Sequence, residues 1–301
     1  MASRLAFTLS ASIASVSVAL VLVGLKLWAL GETHALSVAA SLADSAMDLM
    51  VSLGGLAAIA YAARPADDDH TYGHTSAEDL AALGQSLFIL VSAGVIGWAA
   101  IARLLADVPE PLHQQGRGML VMAISILLTA ALVLWQRHVA RQTGSRVIAA
   151  DSLHYLGDLL PNIGAILSLW ASAALGLQQI DSVVALGAGV MLAVGALRIF
   201  KGAWDALMDR AAPDEVVSEI EGIVRTFPGV HGFHDLKTRM AGSKTFVTVH
   251  IELDGGKTLN ETHAIAAALR RALLRALPGS DVMIHQDPVG VRHHPEDPSR
   301  Q

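Results

Sequence analysis

The sequence predicts a membrane α-helical domain of six transmembrane helices, followed by a C-terminal α+β domain of αββαβ order, ferredoxin-like or metallochaperone-like in outline. Three observations predict it. Of the 301 residues, 53% are hydrophobic, too many for a soluble chain of this length. Six apolar runs of roughly 20 residues each, the length that crosses a bilayer, lie between positions 7 and 200. From Pro213 onward the hydropathy falls, and helical and alternating patterns replace continuous apolar runs.

The six runs are 7–30, 35–63, 80–105, 119–136, 147–175 and 180–200. The first reads as a span and not as a cleaved leader, because it is too long for a signal core and carries Lys26 late in its length. Arg137, Arg141 and Arg146 cluster between spans four and five, and Arg64 follows span two. The loops after spans one and five have no Lys or Arg, and the loop after span three has only Arg117. The positive-inside bias therefore places both termini in the cytoplasm. Gly54 with Gly55, Gly94 with Gly97, and Gly187, Gly189 and Gly195 read as close-packing positions between helices.

In the polar third, 214–226 reads as an amphipathic helix that starts after Pro213. Strands follow at 233–240 and 245–253, the second alternating as Phe246, Val247, Thr248, Val249, His250, Ile251, with a turn at Gly242. A helix at 258–276 has Thr258 as N-cap and Glu261 three residues on, a capping box. A last strand spans 280–286. These elements make a two-layer domain with its helices on one face of the sheet. The domains expected are thus 1–208 in the membrane, 209–290 in the cytoplasm for metal binding and dimerisation, and a disordered, Pro- and charge-rich tail at 291–301.

The chemistry lies where charge is most costly. The fifth run contains ADSLHYLGDLLPN, in which Asp151, His154 and Asp158 share a helical face, and the second contains DSAMD, with Asp44 and Asp48 one turn apart. Carboxylates and imidazoles inside a membrane face a partner or a wet cavity and are by default functional. Two such pairs close a four-ligand cage if their faces meet. Asp151 reads as a helix-end acid or as a residue on the ion's way to the cage, and Asn162 as a donor that orients Asp158. Between spans two and three, RPADDDHTYGHTSAED holds Asp67, Asp68 and Asp69 beside His70 and His74, a second set of oxygen and imidazole donors or a solvated acidic turn. The C-terminal domain adds His231, His234, His250, His263, His285 and Asp287, with His250, His285 and Asp287 placed to converge at one end of the sheet.

The totals exclude several classes. There is no cysteine, so disulfides, thiolate metal sites and cysteine nucleophiles are absent, and any metal is held by His, Asp or Glu. The net charge of −6 and the lack of a long basic run argue against nucleic acid as a partner.

Together DSAMD (44–48), HYLGD (154–158), DDDHTYGH (67–74), LMDRAAPDE (207–215) and GSDVMIHQDP (279–288) resemble the cation diffusion facilitator family, in its bacterial zinc and ferrous-iron efflux branch. The resemblance runs from the first span to Pro288. It implies an intramembrane transport site at Asp44, Asp48, His154 and Asp158, and a loop site at Asp67, His70 and His74. It also implies a paired-metal site at His234, His250, His263, His285 and Asp287, with Asp287 bridging two ions in a dimerising domain. One departure stands out: the branch often has a lysine after the loop GH, and Ser76 stands there instead. That lysine pairs with an aspartate matching Asp209, so Asp209, Arg210 and Asp79 are expected to pair differently here.

The function so implied is efflux of divalent cations, Zn2+ foremost and Cd2+ or Fe2+ beside it, exchanged for protons by alternating access in a homodimer of the bacterial inner membrane. The partners are then metal ions, protons, the lipid bilayer and a second copy of the chain. Zn2+ would serve as substrate and as a structural or regulatory ion of the cytoplasmic site. The chain is not expected to be an enzyme: no HExxH occurs, and four protein ligands leave no open position for a reacting water. A membrane-anchored metal sensor or scaffold without transport is the main alternative, and a channel that moves no protons is another.

Overall fold

A computed structural model describes residues 2–33, 36–105, 116–175 and 180–290, except the side chains of 2–3, 29–30, 32–41, 43–44, 103, 116–123, 161–162, 164–182 and 184–185. The chain divides into two compact units, one ending at Trp204 and one starting at Asp205.

The first unit is built of long helices: α1 (Ala2–Thr33), α2 (Leu36–Ala62), α3 (Ser76–Leu105), α4 (Gly116–Thr143), α5 (Arg146–Leu175) and α6 (Ile180–Leu207), the last running into the second unit. All six coincide with the six apolar runs to within a few residues at most ends. Among the described residues, four carry stretches long and apolar enough to cross a membrane: Arg4–Trp28, Ser45–Ala62, Ser76–Ala102 and Leu186–Leu207. Large apolar side chains such as Val91, Trp98, Leu127 and Leu134 face outward, while small ones such as Ala11, Ala82, Ala196 and Ala203 are fully enclosed. That inversion of the soluble pattern suits helices packed by close backbone approach in lipid. Gly189 shows the reason for its residue type, since a Cβ there would meet the Ala93 carbonyl oxygen of α3 at 3.3 Å. Gly195 likewise leaves room for Leu153, whose Cδ2 lies 2.8 Å from where a Cβ would stand.

In this unit α1 packs on α2 and α4, and α5 on α3 and α4, with α2 reaching α5. The α4–α5 turn at Gly144 is tied to the start of α3: Arg146 Nη1 donates to Asp79 Oδ1 at 2.5 Å, with Asp79 fully enclosed, and Ser145 Oγ donates to Glu78. Asp79 has thus found an intrahelical-bundle cation within its own unit.

The second unit has the expected order, α7 (Asp214–Arg225), β1 (Gly232–Ala241), β2 (Lys244–Leu253), α8 (Leu259–Ala276) and β3 (Asp281–Pro288). The sheet order is β1-β2-β3, with β1 antiparallel and β3 parallel to β2. Val247, Val249, Ile251 and Leu253 of β2 are buried with Ile220 and Val224 of α7 and Ala266, Leu269 and Leu273 of α8. Period-2 alternation sends Thr248, His250 and Glu252 to the opposite face. The α8 capping box is present: Glu261 N–H donates to Thr258 Oγ1 while Thr258 N–H donates to Glu261 Oε2 at 2.8 Å. The last strand is longer than its sequence pattern predicts, because parallel pairing continues through Glu252 with Asp287 and Leu253 with Pro288. The tail at 291–301 lies outside the described residues.

Candidate metal centres

Among the described residues, three groups of histidine and carboxylate side chains each bring their ligand atoms within 4.8 Å of one another. In a tetrahedral zinc site with bonds of about 2.0–2.1 Å, ligand atoms stand about 3.3 Å apart. All three groups therefore need only a modest contraction to close on one ion.

The first group joins Asp48 of α2 to His154 and Asp158 of α5. The helical four-residue spacing of His154 and Asp158 gives them one face, and α2 crosses α5 there, bringing His154 Nε2 to 3.1 Å from Asp48 Oδ1. His154 is 9% exposed and wedged between ring edges, with Phe88 of α3 at 5.6 Å and Tyr155 at 5.7 Å between centroids. Asp48 and Asp158 also line a small cavity with Lys26 and Ser45. The side chain of Asp44 lies outside the described residues, as does that of Asn162; the α2 backbone is helical through both Asp44 and Asp48, one turn apart.

Asp151 is neither a solvated helix-end acid nor a residue open to an approaching ion. It is 4% exposed and accepts from Gln136 Nε2 of α4 at 2.5 Å and from Ser52 Oγ of α2 at 3.5 Å. Ser52 in turn lies 2.8 Å from Ser15 Oγ of α1 and 2.9 Å from the Tyr155 hydroxyl. This buried polar knot fastens four helices immediately beside the Asp48 and His154 pair. Serines and a glutamine inside apolar runs look like packing residues, so the sequence carried no signal for it beyond Asp151 itself.

The second group sits in the α2–α3 loop. The Asp67 carboxylate accepts from the His70 backbone N–H at 2.7 Å and lies 3.3 Å from His70 Nδ1 and 3.2 Å from His74 Nε2. The His70 N–H first, then the nearby imidazoles, hold the Asp67 carboxyl below the usual carboxylate range. His74 is buried against the edge of Tyr61 with Nε2 facing Asp67, and its Nδ1 has no hydrogen-bond partner among the described residues. Asp68 and Asp69 are exposed and stay outside the group.

The third group is set by strand register. His234 of β1 pairs with His250 of β2, and His250 with His285 of β3, so three imidazoles stand in one row across the sheet. Directly opposed side chains in adjacent strands are about 5 Å apart, and the ring centroids are 5.1 Å and 4.4 Å apart here. Asp287, two residues beyond His285 and so on the same face, divides its oxygens: Oδ2 lies 3.0 Å from His250 Nδ1 and 3.4 Å from His234 Nε2, while Oδ1 lies 3.2 Å from His285 Nε2. Two carboxylates absent from the sequence reading flank the row. Glu252 is 3.4 Å from His234 Nδ1, and Asp235 is 3.8 Å from His250 Nε2. Asp235 reaches inward because a register shift between His234 and Lys237 puts its backbone at φ 46°. The atoms within 4.8 Å of one another are those of His234, His250 and Asp287; His285, exposed at the end of the row, His263, exposed on α8, and His231, before β1, lie outside that group.

In the same unit Asp209, at φ 55°, pairs with Arg239 at 3.2 Å, and Arg210 pairs with Asp205. The residues left without the usual loop lysine are thus matched inside their own units.

A profile of the cation efflux transmembrane domain matches residues 12–208, and one of the cytoplasmic domain of cation efflux proteins matches 212–289. The chain is 42% identical over 281 residues to the cation-efflux pump FieF of Citrobacter koseri, covering 93% of each chain, and equally so to FieF of Klebsiella pneumoniae. Among solved structures, the zinc form of the transporter CzrB is 34% identical to 29% of this chain and 99% of its own, with a TM-score of 0.27.

Proposed function

Because the chain belongs to the cation diffusion facilitator family of divalent-cation efflux transporters, we propose that it exports Zn2+, with Cd2+ and Fe2+ as further cargo, in exchange for protons. In this reading all six long helices cross the bacterial inner membrane, both termini are cytoplasmic, and two copies work as a homodimer. The observation that carries it is the convergence of Asp48, His154 and Asp158 from two helices of the membrane unit, with ligand atoms within 4.8 Å. Asp44, one turn before Asp48 on α2, supplies the fourth ligand.

The donor set selects cargo by hardness. Three carboxylates and one imidazole suit Zn2+ and its first-row neighbours, an imidazole serves Mg2+ poorly, and the lack of thiolates leaves Cu(I) unattended. The 3.1 Å contact of His154 Nε2 with Asp48 supports proton exchange. That contact needs a proton between nitrogen and oxygen, whereas a metal ion needs the nitrogen's lone pair, so ion and proton compete for one place. An imidazole titrates near physiological pH, which makes the competition reversible in a cell. Rocking of α2 and α5 between inward and outward openings then carries the ion out and protons in.

The cytoplasmic row of His234, His250 and His285 serves regulation, with Asp287 bridging two ions and His263 joining from α8. Ions bound there favour one arrangement of the dimer by their greater affinity for it. The loop group of Asp67, His70 and His74 is an additional site at the same side.

The test is reconstituted transport of Zn2+ in competition with Fe2+, Mn2+ and Cd2+ across an imposed pH gradient. Efflux requires flux that depends on the gradient and is lost in Asp48→Ala. Metal binding without flux in the unaltered chain would favour the sensor or scaffold, to which the cytoplasmic row lends itself.

A further inference from the structure

Lys26 lies in the membrane-crossing stretch Arg4–Trp28 of α1, where an ammonium is costly unless it meets a partner or a wet cavity. It has both. Its Nζ donates a 2.7 Å hydrogen bond to Ser45 Oγ of α2, and Lys26 lines the same small cavity as Asp48 and Asp158. Ser45 precedes Asp48 by three residues, so the hydroxyl that holds the ammonium and the carboxylate that grips cargo lie on one face of α2. A fixed positive charge therefore shares one small cavity with the ligands, a confined space in which charges interact more strongly than in bulk water.

We propose that Lys26 is the resident counter-cation of the transport site. Its ammonium offsets the charge of Asp48 and Asp158 between cargo ions, opposes the arriving dication, and so holds the affinity low enough for the ion to leave. A site that passes ions must bind well enough to fill and weakly enough to empty, and three carboxylates without an opposing charge would err towards retention. The proposal rests on reading the Asp48, His154 and Asp158 group as the transport site.

The experiment measures Zn2+ binding by calorimetry on the full chain in detergent, with the loop and cytoplasmic groups disabled by His70→Ala, His74→Ala, His250→Ala and Asp287→Ala. In that background Lys26→Met is expected to bind Zn2+ at least about tenfold more tightly, the equivalent of about 1.4 kcal/mol, and Lys26→Arg to bind as the parent does. In proteoliposomes the maximal rate of Lys26→Met falls while the Zn2+ concentration for half-maximal flux falls with it. Damage to the fold weakens binding, so tightening is not a by-product of misfolding. Unchanged or weaker binding in Lys26→Met, or tightening in Lys26→Arg as well, overturns the proposal. Asp48→Ala separates the two levels: if it binds Zn2+ as tightly as the parent, the transport-site reading fails; if it abolishes binding while Lys26→Met binds like the parent, only the counter-cation fails.

Discussion

His154 Nε2 and Asp48 Oδ1 meet at 3.1 Å although 106 residues separate them in sequence. The contact ties the first third of α5 to α2, and Asp158 is one turn along the same face of α5. Replacing one ligand of a metal site costs more than the roughly 10–100-fold lost when an outer hydrogen-bond partner is removed. Asp158→Ala and His154→Ala are therefore each expected to lower Zn2+ transport by at least about 100-fold while leaving the protein folded. Flux assays with detergent-solubilised controls for monodispersity check both.

Asp287 uses both carboxylate oxygens, one towards His234 and His250 and the other towards His285. Asp287→Ala is expected to release every ion held by the row, whereas His285→Ala removes only the side served by Oδ1. Equilibrium dialysis of the full chain counts the difference. The paired substitution His250→Ala with His285→Ala is expected to slow transport at low free metal as chelation would, and normal rates at every metal concentration would refute regulation by this site.

The knot of Ser15, Ser52, Tyr155, Gln136 and Asp151 is enclosed, so its members have no water to fall back on. Tyr155→Phe keeps the ring and deletes the hydroxyl that lies 2.9 Å from Ser52; it should cost about 1 kcal/mol. Asp151→Ala strands Gln136 Nε2 without its acceptor and should cost more, about 1–3 kcal/mol. Apparent melting temperatures in detergent should rank parent above Tyr155→Phe above Asp151→Ala.

The capping box of α8 predicts a pH dependence of the cytoplasmic unit. The Thr258 backbone N–H, then the Thr258 hydroxyl, hold the Glu261 carboxyl below its ordinary range. A carboxyl lowered in the folded state stabilises above its unfolded pKa, and that contribution is lost as pH falls through the lowered folded value. Amide protection of α8 should thus be higher in the parent than in Glu261→Gln at neutral pH, and the difference should shrink as pH falls through the lowered Glu261 value. Thr258→Ala, which removes the cap itself, should cost about 1 kcal/mol at neutral pH.

The helices were legible because apolar runs of bilayer length have few other uses, and the soluble elements because Thr258 with Glu261 and the alternation from Phe246 to Ile251 mark helix start and strand directly. The membrane group was legible because Asp48, His154 and Asp158 are expensive where they stand. The approach of His250, His285 and Asp287 was legible from the strand pattern. What stayed hidden depends on pairing between distant segments: His234 faces His250 only in the observed strand register, and Asp235 enters the row only through a bulge that no residue pattern announces. Gln136, Ser15 and Ser52 are ordinary members of membrane helices until Asp151 is seen among them. Lys26 was visible as a late charge in the first span, but its neighbour Ser45 belongs to another helix.

Asp48, His154 and Asp158 are proposed to hold a single divalent ion together. Anomalous scattering at the zinc edge from crystals of the full chain tests this proposal most directly. The account predicts a peak within about 2.0–2.2 Å of His154 Nε2 and of one oxygen each from Asp48 and Asp158, and its absence in Asp48→Ala. Zinc bound in the membrane unit at a position that touches none of these three side chains would contradict it.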